Sequence, residues 1–225
     1  MKNVANKNNF ERTVARDTSE MIPKRVAALA QELGSVAMRF SDVMRVPRYE
    51  NGKRESDVEH SYMLALVAPE IAAALELNLD LGRLSQYAVV HDLVELKTGD
   101  IATFKISDQE LEQKASIEHD ALSELYAELP PHTRTLLYDY EQQLDSESRF
   151  IKFIDKLLPL VVDILGDGIR IMVEDYEVQS LAQLKECHGQ LETRWSQKFG
   201  EEFPDILLAH KILAKLFEAK FEASL

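Results

Sequence analysis

The stretch HDLVELKTGD, residues 91–100, packs one histidine and three carboxylates into ten positions. It follows the apolar run YAVV (residues 87–90), so the polar groups sit on a helix already heading into a core. Gly99 marks where that helix stops. Two readings compete. One is a solvated helix face ending at a glycine; the other is a buried group of metal ligands. The first accounts for the charges but not for the apolar residues that lead into them.

Working outward, the same pattern recurs twice. His60, Met63, Leu64, Val67, Ile71 and Ala74 share one helical face, which puts a histidine in line with core residues. Leu84, Tyr87, Ala88 and His91 form the stripe that enters the opening stretch; Glu95 lies four residues after His91 and three after Asp92, so their side chains can converge. Further on, Ile151, Ile154, Asp155, Leu158 and Val162 place one aspartate on an apolar stripe. A buried carboxylate is costly unless it is paired or binds a metal. Lys156 or Arg149 offers Asp155 an ordinary ion pair. Two imidazoles and two carboxylates offer instead a mixed N/O ligand set for one divalent ion, and that set does not choose among Mn, Fe, Co, Ni, Zn and Mg.

The rest of the chain reads as helix almost throughout, with 8 glycines, 7 prolines and few alternating β-branched runs. Helices are expected near 23–40, from Asp57 as N-cap to 77, at 80–96, 108–129, 131–144, 147–174, 180–198 and 203–223. The segment SDVMRVPRYENGKRES (41–56) is expected to be a loop with a turn at Asn51-Gly52, and 99–107 a second loop. The organisation expected is a mobile or loosely docked tail over residues 1–20, then one all-α domain over 21–225 that includes a C-terminal helical extension of unassigned role. His119, His132, His188 and His210 read as surface or helix-end residues, Cys187-His188 as structural, and the acidic run after Ser107 as a solvated face.

The net charge of −13 disfavours nucleic acid and anionic membranes, which need clustered Lys and Arg. The apolar runs are too short and interrupted to span a bilayer. The polar start carries no apolar signal-peptide core. A single cysteine excludes an internal disulfide and suits a reducing cytoplasm.

Taken in order, Arg45-Val46-Pro47, Glu59-His60-Ser61, HDLVELKTGD and Asp155 in FIDKLLPLV resemble the HD-domain phosphohydrolase superfamily, whose metal ligands run H…HD…D. The closest likeness is to the bacterial 5′-deoxynucleotidase branch, with R-x-P about fifteen residues before an EHS histidine and H-D-x-x-E-x-x-x-G-D in the third core helix. The resemblance spans roughly residues 45–162. It implies an all-α HD-domain helical bundle and a single divalent metal ion on His60, His91, Asp92 and Asp155. It further implies Glu95 and Asp100 as catalytic carboxylates, Arg45 as the phosphate-binding arginine, and commonly a homodimer. The implied reaction takes a deoxynucleoside 5′-monophosphate and water to nucleoside and phosphate. Lys105 and Lys114 are candidates for a second phosphate contact, against a solvated-face reading for each. Two departures stand out: Val46 replaces the usual aromatic between Arg and Pro, and IATFK (101–105) replaces a proline-rich loop. The alternatives are a dNTP triphosphohydrolase on the same ligands, a cyclic-nucleotide phosphodiesterase, or a non-catalytic regulatory protein on the HD fold.

Overall fold

The computed structural model describes residues 21–225 in full and, for residues 2–20, the backbone alone. It divides into two compact units, Met1–Arg39 and Phe40–Leu225. The first is built from helix α1 (Lys2–Phe40), which contains Pro23. The segment expected as a mobile or loosely docked tail, residues 1–20, has a helical backbone from Lys2 on, and its side chains lie outside the described residues.

The second unit is all-α except for one hairpin. Strand β1 (Met44–Arg48) pairs antiparallel with β2 (Arg54–Ser56), with an irregular register between Met44↔Ser56 and Arg48↔Arg54. The turn at Asn51-Gly52 closes it, and Gly52 takes φ +80°, a region glycine enters without penalty. The expected loop is therefore a hairpin that holds Arg45 in a fixed strand. Helix α2 (Asp57–Ala74) starts on a capping box: Ser56 Oγ accepts from the Glu59 amide, and the Glu59 carboxylate accepts from the Ser56 amide. Ser56, not Asp57, is thus the N-cap. The buried row of α2 also differs from the expected stripe. It runs His60, Ser61, Leu64, Ala68 and Ala72, while Ile71 is half-buried and Ala74 exposed.

Helix α3 (Leu81–Val90), capped by Asp80, packs closely on α2. It does not run unbroken to residue 96 as expected. Residues 91–94 form a tighter turn, where the amides of Leu93, Glu95, Leu96 and Lys97 bond three residues back, before the short α4 (Glu95–Thr98). Gly99 then ends the segment at φ +71°. Helices α5 (Asp108–Glu128), α6 (Pro131–Gln142) and α7 (Ser146–Leu165) follow. The single helix expected over 147–174 breaks at Gly166, whose Cβ would lie 2.2 Å from the Arg48 carbonyl oxygen. A short α8 (Gly168–Arg170) and a wide turn over Ile171–Asp175 complete that stretch. Helices α9 (Leu181–Phe199) and α10 (Pro204–Glu222) pack on each other and on α7. The core is centred on α7, with Phe150, Ile151, Phe153 and Ile154 fully buried beside Leu64, Leu84, Tyr87 and Tyr140. Among the described residues, no helix is long and apolar enough to cross a membrane.

Candidate metal centre

Three elements deliver the four residues that resemblance put forward as ligands. His60 comes from the first turns of α2, where the capping box sets the helix phase. His91 and Asp92 occupy the tight turn that ends α3. Asp155 lies in the middle of α7. His60 Nε2 stands 2.9 Å from Asp155 Oδ1, and His91 Nε2 stands 2.9 Å from Asp92 Oδ2 and 3.7 Å from Asp155 Oδ1. One nitrogen or oxygen from each of the four residues lies within 4.8 Å of all the others. The two imidazole rings are tilted by 44° at a centroid distance of 5.3 Å.

The imidazoles are prepared for a cation. His91 Nδ1 is 2.8 Å from the Ala88 carbonyl oxygen, which only accepts, so Nδ1 carries a proton and Nε2 is the nitrogen left to face the carboxylates. That buried Nε2 meets neither nearby carboxylate in hydrogen-bonding geometry. It points with them toward a common centre instead. His60 Nδ1, also buried and unpartnered, faces Glu55 Oε2 at 3.6 Å. A carboxylate behind a ligating histidine is the usual second layer of a metal site. The donor set, two nitrogens and two carboxylates in a dry setting, fits one divalent metal ion.

Arg45 reaches into the same place from β1. Its Nη1 lies 2.9 Å from Asp92 Oδ2, 3.3 Å from Asp57 Oδ1 and 4.0 Å from both Glu95 and Asp100; its Nε lies 3.5 Å from Glu55 Oε2. This crowding sets the protonation of the group. Burial, reinforced by Asp92, Asp100 and Asp57, pushes the Glu95 carboxyl up to about 11. Burial also raises Asp57, to about 6, and raises Asp100, with Arg45 opposing in both cases. Burial works against the charge on Asp92 too, but the adjacent His91 outweighs it and holds that carboxyl well below its ordinary range. Asp155 is likewise held down, its burial overcome by Lys156, His60 and His91.

These groups open onto one cleft. It is lined by Arg45, Asp92, Glu95 and Asp100 at the ligand end and continues along α7 and α9; its empty volume, mouth included, is about 1120 Å³. The structure brings His60, His91, Asp92, Asp155, Glu95, Asp100 and Arg45 together. Lys114 also lines the cleft, with Nζ 3.6 Å from Glu95 Oε1 and an ion pair to Glu118. Lys105 does not join them. The backbone there takes φ +58°, and its Nζ donates to the Tyr176 carbonyl oxygen at 2.7 Å, outside the cleft. Of the two ion-pair partners suggested for Asp155, Lys156 is engaged at 2.8 Å, while Arg149 pairs with Glu202.

Three neighbours, Glu55, Asp57 and Lys152, escaped sequence reasoning as site residues, and Lys156 was named there only as an ion-pair partner of Asp155. Glu55 and Asp57 are fully buried carboxylates beside Arg45, and Lys152 and Lys156 line the cleft from α7. The lysines were detectable, since 152, 155, 156 and 159 fall on one side of a helix. His188 and His210 also depart from expectation: both are buried, and both line the cleft. Their partners, Glu218 and Trp195, lie far off in the chain, so no local pattern announces them.

Comparison with known proteins agrees with this architecture. The chain is 36% identical over 121 residues to the human 5′-deoxynucleotidase HDDC2, covering 50% of this chain and 57% of that one. The chain thus spans little more than half the length of this curated relative. In structure it resembles a predicted metal-dependent phosphohydrolase from Magnetospirillum magnetotacticum, with TM-score 0.62 and 21% identity over 86% of this chain and 92% of the other. It also resembles the cyanophage S-2L HD phosphohydrolase bound to dA and one catalytic Zn²⁺ ion, with TM-score 0.50 and 21% identity over 84% and 94%. At such identity these two likenesses establish a shared fold. The sequence profile of the HD domain matches residues 37–199, which hold the hairpin, the His91-Asp92 turn and α7. By that match over most of its length, the chain belongs to the HD domain family.

Proposed function

We propose that the protein is a metal-dependent 5′-deoxynucleotidase, converting a deoxynucleoside 5′-monophosphate and water to deoxynucleoside and phosphate. The observation that carries this reading is the convergence of His60, His91, Asp92 and Asp155 within 4.8 Å, with Arg45, Glu95 and Asp100 at its edge. Curated relatives named 5′-deoxynucleotidase support the substrate class.

The chemistry needs an activated water, neutralised phosphate oxygens and a protonated leaving group. A divalent ion held by His60, His91, Asp92 and Asp155 would supply Lewis acidity and a more acidic water. The Arg45 guanidinium offers a fork of donors matched to phosphate oxygens. Glu95 borders the ligands and takes the role of orienting the water; it could receive the water's proton once a bound cation offset the burial and the carboxylates that hold it protonated. The new bond joins the water oxygen to phosphorus, the P–O5′ bond breaks, and the proton ends on O5′. Asp100, past the helix end, positions the water or delivers that proton.

A second reading, removal of triphosphate from dNTPs, is favoured by one feature. Lys114, Lys152 and Lys156 all line the cleft, a cationic supply larger than one phosphate needs. We carry two further expectations from the family likeness and the single cysteine, a homodimer and a cytoplasmic location. Light scattering of the purified protein tests the first.

The deciding experiment is a product screen of dNMPs, NMPs and dNTPs with Mg, Mn, Co or Zn. Inorganic phosphate from dNMPs supports the proposal. Triphosphate from dNTPs selects the second reading, and no product from either removes both.

A further inference from the structure

Beyond the ligands the cleft follows one side of α7, through Lys156, Pro159, Leu160 and Asp163. Its floor is His188, Leu191 and Trp195 of α9, spaced i, i+3, i+7, so α9 presents a single face to it. At the Asp163 end the walls are aromatic. Phe104 and Tyr176 meet at 4.7 Å between ring centroids, and with Val46 they pack on the core formed by Leu160, Ile171 and Phe217.

One buried polar atom in this apolar end lacks a partner, and a second acceptor lies on the cleft floor. Asp163 is 7% exposed, and its Oδ1 has no hydrogen bond. It is held in place by close packing, since a Cβ on Gly168 would come within 2.4 Å of the Asp163 carbonyl oxygen. Burial and the nearby Glu55 push its carboxyl up to about 7, against Lys220. His188 donates Nδ1–H to Glu218 Oε1 at 2.8 Å. That bond fixes the tautomer and leaves Nε2 as an acceptor on a ring that lines the cleft. Buried polar groups without partners are rare and costly, and a pocket with apolar walls and a few convergent polar atoms is what a flat heterocycle requires. Glu218 lies beyond the residues matched by the family profile.

We propose that the Asp163 end of the cleft is a nucleobase subsite in which Asp163 Oδ1 and His188 Nε2 accept hydrogen bonds from N–H groups of the base, favouring bases with an exocyclic amino group over thymine. The inference rests on the deoxynucleotide reading above. Guanine offers N1–H and a 2-amino group, and adenine and cytosine each offer an amino group. Thymine has one ring N–H flanked by two carbonyl oxygens, whose lone pairs would face two acceptors. The aromatic walls serve any base by stacking, and the acceptors discriminate.

The test is kcat/KM for dGMP, dAMP, dCMP and dTMP on the Mn-loaded protein, with Asp163→Asn and His188→Gln as variants. Calorimetric binding of deoxyguanosine and thymidine to the same proteins runs alongside. The best amino-bearing substrate should exceed dTMP by about tenfold or more, in the range expected when buried polar groups are left unpaired. Each variant should cut that ratio at least several-fold. A wild-type protein that treats all four alike overturns the proposal, as does an equal loss on all four in both variants, which marks a structural role. If no dNMP is hydrolysed but deoxyguanosine binds more tightly than thymidine, the reaction assignment fails and the subsite stands. If all four are hydrolysed at one rate, the reverse holds.

Discussion

His91 Nδ1 lies 2.8 Å from the carbonyl oxygen of Ala88, three residues earlier on the same helix. That bond orients the ring, fixes the Nδ1 proton and aims Nε2 at Asp92 and Asp155. Asp92 should therefore be indispensable. Asp92→Ala is expected to lose both bound divalent metal and activity while staying folded, as read by elemental analysis and circular dichroism. Full metal content in that variant would remove Asp92 from the ligand set.

Glu95 adjoins the ligands without being one of the four, so metal content and turnover should separate there. Glu95→Gln is expected to retain the metal and to lower kcat by about 10²–10³, the scale of general acid–base assistance. Unchanged kcat would assign the proton to another group.

Arg45 is the shared counter-charge for Asp57, Asp92, Glu95 and Asp100, with its side chain 9% exposed. Removing it leaves buried carboxylates unpaired, which costs on the order of 3–5 kcal/mol. Arg45→Ala should thus lower Tm as well as kcat/KM, while Arg45→Lys should restore more of the Tm than of the kinetics, because an ammonium lacks the fork. A variant that loses activity at unchanged Tm would contradict the counter-charge role.

Glu55 backs His60 at 3.6 Å, and neither its Oε1 nor its Oε2 has a hydrogen bond. Glu55→Gln is expected to weaken Mn binding about 10- to 100-fold in calorimetric titration, the scale typical for outer-layer partners of metal ligands. Unaltered affinity would show that His60 needs no support from it.

His210 supplies a pH prediction that involves none of the four proposed ligands. Burial, with His188 and Lys211 adding to it, pushes its imidazole down to about 4. The unfolded chain then binds a proton near pH 6.5 that the folded chain refuses until about pH 4. Stability should fall as pH drops from about 6.5 to 4 and level off below, with the slope set by one proton. His210→Phe should flatten that part of a Tm-versus-pH curve relative to wild type; parallel curves would place the acid sensitivity elsewhere.

Much of this was legible before folding. His91 and Asp155 sit on apolar stripes, and a polar residue in such a row must be paired or functional. What was not legible depends on distant chain. The break at Gly166 follows from the approach of the Arg48 carbonyl on another element. The tight turn at 91–94 replaces a helix that periodicity alone extends to Leu96. Glu55 and Asp57 look like loop and cap residues, and only the hairpin's fold against α2 buries them. The inward turn of His188 requires Glu218, thirty residues on.

Asp155 and Asp163 ride on one uninterrupted helix, α7, eight residues and so about 12 Å apart. Pro159 stands between them on the cleft wall. The span between the two ends of the cleft is therefore set by one helix, which continues through Pro159, instead of by loops; on the proposed reading it would act as a caliper. Inserting one residue between the two would change the gap by only about 1.5 Å but rotate the far jaw by about 100°. On the proposed reading, substrate length and substrate identity would be gauged by the same piece of backbone, and the jaws could be retuned by substitution but not by insertion.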